Sequence, residues 1–209
     1  MKTFLDIENW PRKEHFHFFR KFEEPFFGAT VEIDCTKAYQ TSKKLSSSFF
    51  TYYLHKTLTA VNTIEPFRYR VDDDKVVIYD RMDGSATIGR ADGSFGFSLI
   101  AYDSDFDNFK VNAALEIERI QHTPGLFTRA FDTDNVIHFS AIPWVNFTSL
   151  SHARSYTFPD SCPKISFGKM MTSEDGRKTM SMSVHVHHGL MDGMHLGQFV
   201  DCFQELMNQ

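Results

Sequence analysis

The segment from Met180 to His188 constrains the fold most, because its apolar and polar side chains alternate without interruption. The apolar set is Met180, Met182, Val184 and Val186, and the polar set is Ser181, Ser183, His185 and His187. Successive side chains of a β-strand point to opposite faces, so the segment predicts a strand with one face on a core. His188 continues the apolar parity, and we expect it to lie partly dehydrated at the mouth of that core.

A sharp turn and a helix are predicted directly after this strand. Gly189 and Gly193 bound the turn, and apolar residues then recur at helical spacing towards the C-terminus. A strand, a turn and a helix in this order commonly hold one side chain at a cleft. An imidazole has an ordinary pKa of about 6.5, and burial favours its neutral form, which accepts a proton. His188 is therefore a candidate general base.

The residues alone leave other interpretations of this histidine-rich run open. His188 is a structural residue at a strand end in one of them. In another, His185 and His187 share a face and combine with Asp192 and His195 to ligate zinc or copper. Histidines on a solvated strand face are more often polar surface, and no cysteine or carboxylate cluster closes the set, so we predict no metal. Asp192 is also typical of a helix N-cap.

Apolar spacing predicts three helices and indicates a shorter fourth. The three sets are Phe50, Leu54, Leu58 and Val61; then Phe106, Phe109, Ala113, Ile117 and Ile120; and then Leu196, Phe199, Val200, Phe203 and Leu206. The fourth helix is predicted near Cys35–Tyr39, with Asp34 or Thr36 as its cap. Strands are predicted at Ala29–Ile33, Phe67–Val71, Val76–Tyr79, Phe95–Ala101, Val136–Ile142, Pro163–Met171 and Lys178–His187.

Short turn signals separate these elements without marking a domain boundary. They lie at Asp72–Asp74, Asp83-Gly84, Asp92-Gly93 and Asp175-Gly176, and each is predicted to be a hairpin turn. Helices and strands mix without a regular β-α-β rhythm, so we expect an α+β fold, a two-layer sandwich of helices on a mixed β-sheet. No linker or repeat divides the chain, and residues 1–209 are predicted to form a single domain.

Composition argues against several classes of function. The formal net charge is -5 and lysine and arginine are dispersed, which argues against nucleic acid as a partner. No apolar run approaches the roughly 20 residues that span a bilayer, and the acidic start offers no signal-peptide core, so we expect no membrane partner. The three cysteines are far apart and lack a C-x-x-C pattern, which predicts reduced thiols and a cytoplasmic protein.

Three blocks of the sequence stand in an order that a known family shares. The run His187-His188-Gly189-Leu190-Met191-Asp192-Gly193 resembles the H-H-x-x-x-D-G signature of the trimeric chloramphenicol acetyltransferases. Asn9–Phe16 resembles their N-W-x-R-x-E-H-F block, and Ser140–Phe147 resembles their S-A-L-P-W-V-N-F block. The resemblance runs from about residue 4 to the C-terminus, and the dihydrolipoamide acyltransferase cores share the fold and a similar signature.

The resemblance implies a reaction and a role for individual residues. The reaction is direct transfer of acetyl from acetyl-CoA, a co-substrate, to a hydroxyl of chloramphenicol, a route to antibiotic resistance; no cofactor is bound permanently. His188 matches the general base and Ser140 matches the hydroxyl that stabilises the oxyanion. Asp192 and Arg12 match a structural ion pair. The family is homotrimeric, with the histidine from one subunit and most of the acceptor pocket from its neighbour.

The resemblance also implies binding positions for the two substrates. The candidates for the acceptor pocket are Phe18, Phe19, Phe27, Phe97, Phe127, Leu150 and Ser166, and those for the CoA path are Trp144 and Met170. Phe19 departs from the family, which usually has tyrosine there, so a pocket hydroxyl is missing. Two alternatives therefore stand beside chloramphenicol acetylation. One is the same mechanism on another alcohol or thiol, and the other is a trimeric ligand-binding relative without turnover.

Overall fold

The computed structural model describes residues 1–131, 133–157 and 159–209. Within them the α-helices are α1 (Lys13–Phe19), α2 (Thr36–Lys44), α3 (Phe49–Thr63), α4 (Phe106–His122) and α5 (Gly193–Met207). The strands are β1 (Lys2–Phe4), β2 (Phe26–Asp34), β3 (Tyr69–Asp72), β4 (Lys75–Tyr79), β5 (Asp83–Gly89), β6 (Phe95–Phe97), β7 (Val136–Ala141), β8 (Lys164–Phe167), β9 (Met171–Thr172) and β10 (Lys178–His187). No helix in these described ranges has both the length and the apolar character that crossing a bilayer requires.

The strands form one large mixed sheet and one small antiparallel sheet. The large sheet runs in the order β2-β10-β8-β7-β5-β6, and β9 pairs with β10 outside this path. β10 is antiparallel to both β2 and β8, whereas β7 is parallel to both β8 and β5. β1, β4 and β3 form the small sheet. The predicted α+β sandwich of helices on a mixed sheet is therefore confirmed.

The core lies between the large sheet and the helices. The four apolar side chains of β10 are buried in one cluster with Leu54 and Leu58 of α3 and with Phe199 and Phe203 of α5. Burying one side chain of this size stabilises the fold by roughly 1.5–3 kcal/mol. A one-residue slip of β10 would turn this set towards the opposite face, so burial fixes the register that places His188 at the strand end.

Of the four predicted hairpin turns, three are confirmed and one is wrong. Asp73, Gly93 and Gly176 occupy the turns with φ of 50°, 83° and 83°. Asp83 and Gly84 instead lie inside β5, which the sequence did not predict. A Cβ on Gly84 would lie 3.3 Å from the Leu58 side chain, so this glycine allows helix α3 to approach the strand closely.

The three long predicted helices and β10 are confirmed, but several strand ends were wrong. Phe67 belongs to a 3₁₀ turn, Glu65–Arg68, which begins at a proline-containing segment. Pro163–Met171 is interrupted at Gly168, because Lys169 N–H donates to Val145 O at 2.9 Å and Gly168 packs against the same segment. The fourth helix starts at Thr36, with Asp34 accepting from its backbone N–H at 2.8 Å. Helix α1 and strand β1 were not predicted.

Candidate active site

Backbone hydrogen bonds form the turn after β10, and position 189 within this turn has space only for glycine. Leu190 N–H and Met191 N–H donate to His187 O at 3.0 and 3.1 Å, and His188 N–H donates to Pro25 O at 2.7 Å. A Cβ on Gly189 would lie 2.9 Å from Cε1 of His187 and 3.5 Å from Cα of Phe16. The backbone therefore reverses direction at Gly189 and holds His188 against the segment before β2.

The imidazole of His188 is fixed by one hydrogen bond and two aromatic rings. Nδ1 lies 3.2 Å from Met191 O. A carbonyl oxygen only accepts, so Nδ1 carries the proton and the lone pair resides on Nε2. Phe19 stacks on the ring with 3.9 Å between centroids, and Phe27 lies at 4.5 Å, tilted by 42°. The half-buried ring thus has the tautomer that a general base needs.

Arg12 and Asp192 are joined in the structure, and the carboxylate also caps α5. Arg12 Nη1 forms an ion pair with Asp192 Oδ2, and Arg12 Nη2 donates to His188 O at 3.1 Å. Asp192 Oδ1 accepts from Met194 N–H at 3.1 Å and from His195 Nδ1 at 2.8 Å. Burial alone would raise the pKa of Asp192, but the His195 bond and the Arg12 charge outweigh it and lower the pKa. Asp192 is therefore both the N-cap of α5 and the ion-pair partner of Arg12.

The expectation that His185 and His187 lie on a solvated strand face was wrong. His187 is only 4% exposed, and its Nδ1 accepts from Gly189 N–H at 3.1 Å. Burial, reinforced by the positive charge of Arg154, lowers the pKa of His187 to about 4. His185 is half-buried and packs edge-on against His152 at 4.9 Å. Among the described residues, no group of three or more potential ligands is arranged to hold a metal.

A row of serines crosses the same polar face of the sheet. Ser140 of β7 stands opposite Ser166 of β8, and Ser166 stands opposite Ser183 of β10. Ser166 and Ser183 are fully buried, whereas Ser140 is half-buried. The Ser166 hydroxyl has no hydrogen-bond partner within the described part of the chain. A buried hydroxyl without a partner is costly, which is typical of a site that a water or substrate completes.

His188 and Ser140 are far apart within one chain. His188 lies five residues beyond Ser183 along β10, which is about 16 Å at strand spacing. Ser140 lies two strands from β10, which adds about 10 Å across the sheet. Strand spacing thus separates the Cα atoms of His188 and Ser140 by roughly 19 Å, so the two residues do not meet at one reacting atom inside a single chain.

The predicted binding residues also fall into separate groups. Phe18 and Phe19 lie together at 5.0 Å beside His188, and Phe18 is 59% exposed. Phe97 and Phe127 lie together at 5.2 Å at the far edge of the sheet, and Phe127 is 66% exposed. Leu150 and Met170 are half-buried in the segments flanking β8, and Trp144 is 80% exposed. Adjacent exposed aromatic side chains, as in the pairs Phe18–Phe19 and Phe97–Phe127, are typical of a surface that contacts another molecule.

Two contributors to the site were missed at the sequence level. Phe22 contacts both Phe18 and Phe19, at 5.1 and 5.4 Å, and its spacing of three and four residues from them was a usable signal. His195 was weighed only as a metal ligand, yet it stands three residues after Asp192, the spacing of a capping box. The carbonyl of Met191 belongs to the backbone, so no side-chain pattern reveals it.

Comparisons with known proteins add to this geometry. The chloramphenicol acetyltransferase family model matches residues 1–204. Chloramphenicol acetyltransferase 3 of Escherichia coli is 31% identical over 207 residues, which are 99% of this chain and 97% of that protein. A solved chloramphenicol acetyltransferase has a TM-score of 0.89 and 36% identity, covering 99% of this chain and 100% of its own. A probable dihydrolipoamide acetyltransferase from Listeria monocytogenes 4b F2365 covers 93% of this chain and 88% of its own at 13% identity and a TM-score of 0.65, and shares the fold.

Proposed function

The chain belongs to the chloramphenicol acetyltransferase family, and we propose that it transfers acetyl from acetyl-CoA to a hydroxyl of chloramphenicol. The observation that carries the mechanism is the hydrogen bond between His188 Nδ1 and Met191 O. It leaves the lone pair on Nε2, while Phe19 and Phe27 pack against the imidazole and limit its rotation. A base of this kind, next to an activated acyl group, is sufficient for acetyl transfer without an enzyme nucleophile.

The proposed reaction proceeds by direct attack on the thioester. His188 Nε2 takes the proton of the acceptor hydroxyl while the hydroxyl oxygen forms a bond to the thioester carbonyl carbon. The Ser140 hydroxyl donates to the resulting oxyanion. The tetrahedral intermediate then collapses, the carbon–sulfur bond breaks, and the CoA sulfur leaves with the proton from His188. Loss of such a base costs on the order of 10²–10⁴ in rate, and loss of one oxyanion donor costs about 10²–10³.

The separation of the two groups supports a site shared between subunits. Both must lie within hydrogen-bond reach of one substrate centre, about 3 Å from the atoms they serve. A homotrimer in which His188 of one subunit faces Ser140 of the next meets this requirement. It also gives a function to the exposed rings of Phe18 and Phe127, which would meet across the subunit boundary as two walls of one acceptor pocket.

The binding of acetyl-CoA and the location of the reaction complete the proposal. We assign the CoA path to Trp144 and Met170, which lie on segments flanking the serine row rather than beside His188. Ser166, whose hydroxyl has no partner among the described residues, holds a water or a substrate group near Ser140. Cys35, Cys162 and Cys202 are free thiols in the structure, which agrees with a reducing cytoplasm as the place of the reaction.

Phe19 favours a second candidate, the same transfer to a different alcohol or thiol. Its phenyl ring covers one face of His188 and presents no hydroxyl to the acceptor. A site that reads a polar substrate group discriminates strongly through the matching polar group. The absence of that hydroxyl therefore favours an acceptor with a more apolar edge near the base.

One assay tests both candidates. The protein is incubated with acetyl-CoA and chloramphenicol, and separately with other alcohols and thiols, while the release of the CoA thiol is followed for the wild type and His188→Ala. We expect thiol release that depends on chloramphenicol and falls by at least about 10² in the variant. Release with another acceptor alone would establish the second candidate. Chloramphenicol that binds without any acetylation would mean that the chain has lost turnover.

A further inference from the structure

A carboxylate interrupts the buried stripe of helix α4. Phe109, Ala113, Glu116 and Ile120 are the buried residues of this helix, so Glu116 stands where an apolar side chain is expected. The Glu116 side chain is only 6% exposed. A buried carboxylate costs several kcal/mol unless charged partners and hydrogen bonds compensate it. Glu116 therefore needs compensating partners, and its position in the stripe indicates a role other than apolar packing.

Four donors from three segments satisfy Glu116. Arg119 forms a two-pronged pair, with Nε 2.8 Å from Oε2 and Nη2 2.9 Å from Oε1. Leu99 N–H donates to Oε1 at 2.8 Å, and Arg129 forms an ion pair with Oε2. Burial alone would raise the pKa of Glu116, but the Arg119 bond, the Leu99 amide and the arginine charges outweigh it and lower the pKa. The carboxylate is thus ionised and joins α4 to residues 99 and 129.

These contacts hold the loop that carries Phe127. We call the group formed by Glu116, Arg119 and Arg129 the clamp. Arg119 Nη2 also donates to the Thr128 hydroxyl at 3.0 Å, so the clamp holds the chain directly after Phe127. Directly before Phe127, Leu126 O accepts from Phe97 N–H at 3.0 Å. Phe127 lies outside the helices and strands, and an isolated backbone bridge pairs it with Phe97. Its ring stays beside Phe97 because the chain is held on both sides.

From this arrangement we infer that Glu116 is a positioning residue for the acceptor pocket, which acts by holding Phe127 beside Phe97. The inference rests on the proposed function, because Phe97 and Phe127 were assigned to the acceptor pocket. Within the described part of the chain, the polar partners of Glu116 are Leu99, Arg119 and Arg129, and the serine row is not among them. Loss of Glu116 should therefore weaken acceptor binding and leave the chemistry at His188 unchanged.

Glu116→Gln tests this with the least change of shape. Glutamine keeps an acceptor for Leu99 N–H, but it removes the charge that holds Arg119 and Arg129. We expect the KM for chloramphenicol to rise on the order of tenfold, which is the range for a misplaced apolar pocket wall. The kcat and the KM for acetyl-CoA should stay within about twofold, because a binding contact rather than a transition-state contact is lost.

A double-mutant cycle separates positioning from general loosening of the fold. Phe127→Ala alone should raise the KM for chloramphenicol, and Glu116→Gln should add little in the Phe127→Ala background if it acts through that ring. Asp107→Asn is the matched control, since Asp107 forms an exposed pair with Lys110 on the same helix. Thermal unfolding of every variant establishes that each is folded at the assay temperature. If Glu116→Gln is not folded there, Thr128→Val replaces it, because that change removes only the hydroxyl bond to Arg119.

The outcomes distinguish this inference from the proposed function. A wild type that neither binds nor acetylates chloramphenicol overturns the proposed function, and the inference falls with it. An active wild type with an unchanged KM for chloramphenicol in the Glu116 and Thr128 variants overturns the inference alone. The inference is also overturned if Glu116→Gln raises the KM for chloramphenicol equally in the Phe127→Ala background. The same holds if Glu116→Gln reduces kcat instead of raising that KM.

Discussion

His188 and Phe19 stack face to face, with 3.9 Å between ring centroids and 13° between ring planes. The phenyl ring packs against the imidazole and so limits its rotation. Because the phenyl ring is apolar, it also keeps water from that face of the imidazole. The bond from Nδ1 to Met191 O fixes the remaining degree of freedom. Phe19 therefore holds the imidazole of the proposed base, and under the proposed function it also forms the part of the acceptor pocket nearest to that base.

Restoring a hydroxyl at position 19 should tighten binding of chloramphenicol. Phe19→Tyr keeps the stack on His188 and adds one donor at the pocket edge. We expect the KM for chloramphenicol to fall by up to about tenfold, the value of one well-placed hydrogen bond, with kcat nearly constant. Steady-state kinetics give both constants, and Phe22→Tyr serves as the control because Phe22 does not stack on His188. A higher KM for chloramphenicol would mean that the acceptor presents an apolar group there.

Mixing two inactive variants should restore activity if the site is shared between subunits. His188→Ala and Ser140→Ala chains are each expected to lose activity as homotrimers. In randomly mixed trimers, half of the sites take an intact His188 and, independently, half take an intact Ser140, so about one quarter of the sites are intact. Activity should therefore return to about one quarter of the wild-type value after the variants are unfolded and refolded together. If no activity returned, the His188 and the Ser140 of one site would have to come from the same chain.

Adding a single methyl group at Gly189 should distort the active-site turn. The new Cβ would lie 2.9 Å from His187 Cε1 and 3.1 Å from His187 Nδ1. We expect Gly189→Ala to lower the free energy of unfolding by about 1–3 kcal/mol and kcat by on the order of 10² through displacement of His188. Gly193→Ala is the matched control, because nothing lies within 4 Å of its new Cβ. Equal behaviour of the two variants would contradict this account of the turn.

The ion pair between Arg12 and Asp192 should contribute moderately to the free energy of unfolding. Arg12→Met removes both the pair and the donor to His188 O, whereas Asp192→Asn keeps an acceptor for Met194 N–H. Because Asp192 is partly exposed, we expect losses of only about 1–2 kcal/mol in urea unfolding, smaller for Asp192→Asn. The pKa of Asp192 is lowered, so this stabilisation is present above its ordinary pKa and disappears as the pH falls through the lowered value.

Buried His187 should make the protein less stable in mild acid. Its folded-state pKa is about 4, below the ordinary value of about 6.5. The unfolded chain therefore binds a proton between these values while the folded chain does not, and stability falls as the pH decreases from about 6.5 to 4 by about 3 kcal/mol. Urea unfolding at about pH 7.5 and about pH 5 should show a smaller loss for His187→Gln than for the wild type. The exposed His15→Gln should behave as the wild type.

Local patterns predicted the parts of the fold that bury one face. The alternation of β10 and the helical spacing in α3, α4 and α5 were sufficient to place these elements. β5 was missed because Asp83-Gly84 has the composition of a turn, while its real environment is set by Leu58 on a distant helix. The burial of His187 was missed for a similar reason. The Phe26 ring lies 5.7 Å from the His187 ring, and the Arg154 guanidinium lies over the Phe26 ring. Both residues belong to segments remote from His187 in sequence.

The residues of the candidate site could be proposed from the sequence, but their geometry could not. His188 was a candidate base from the strand pattern, and the resemblance carried by the three blocks added roles for Ser140, Arg12 and Asp192. The tautomer of His188 depends on a backbone carbonyl, and the distance between His188 and Ser140 depends on the order of strands. Neither is encoded in a spacing along the chain. Glu116 was within reach, since it lies three residues after Ala113 and four before Ile120 in a stripe otherwise apolar.

The clamp at Glu116 also protects the free side of β6. β6 is the last strand of the sheet, and its outward N–H groups would be open to pairing with another chain. The N–H of Phe97 donates to Leu126 O, and the N–H of Leu99, two residues past the end of β6, donates to the Glu116 carboxylate. The strand is aromatic, and an uncovered aromatic edge is a common starting point for aggregation. The same contacts that hold Phe127 therefore help to keep folded chains from pairing edge to edge.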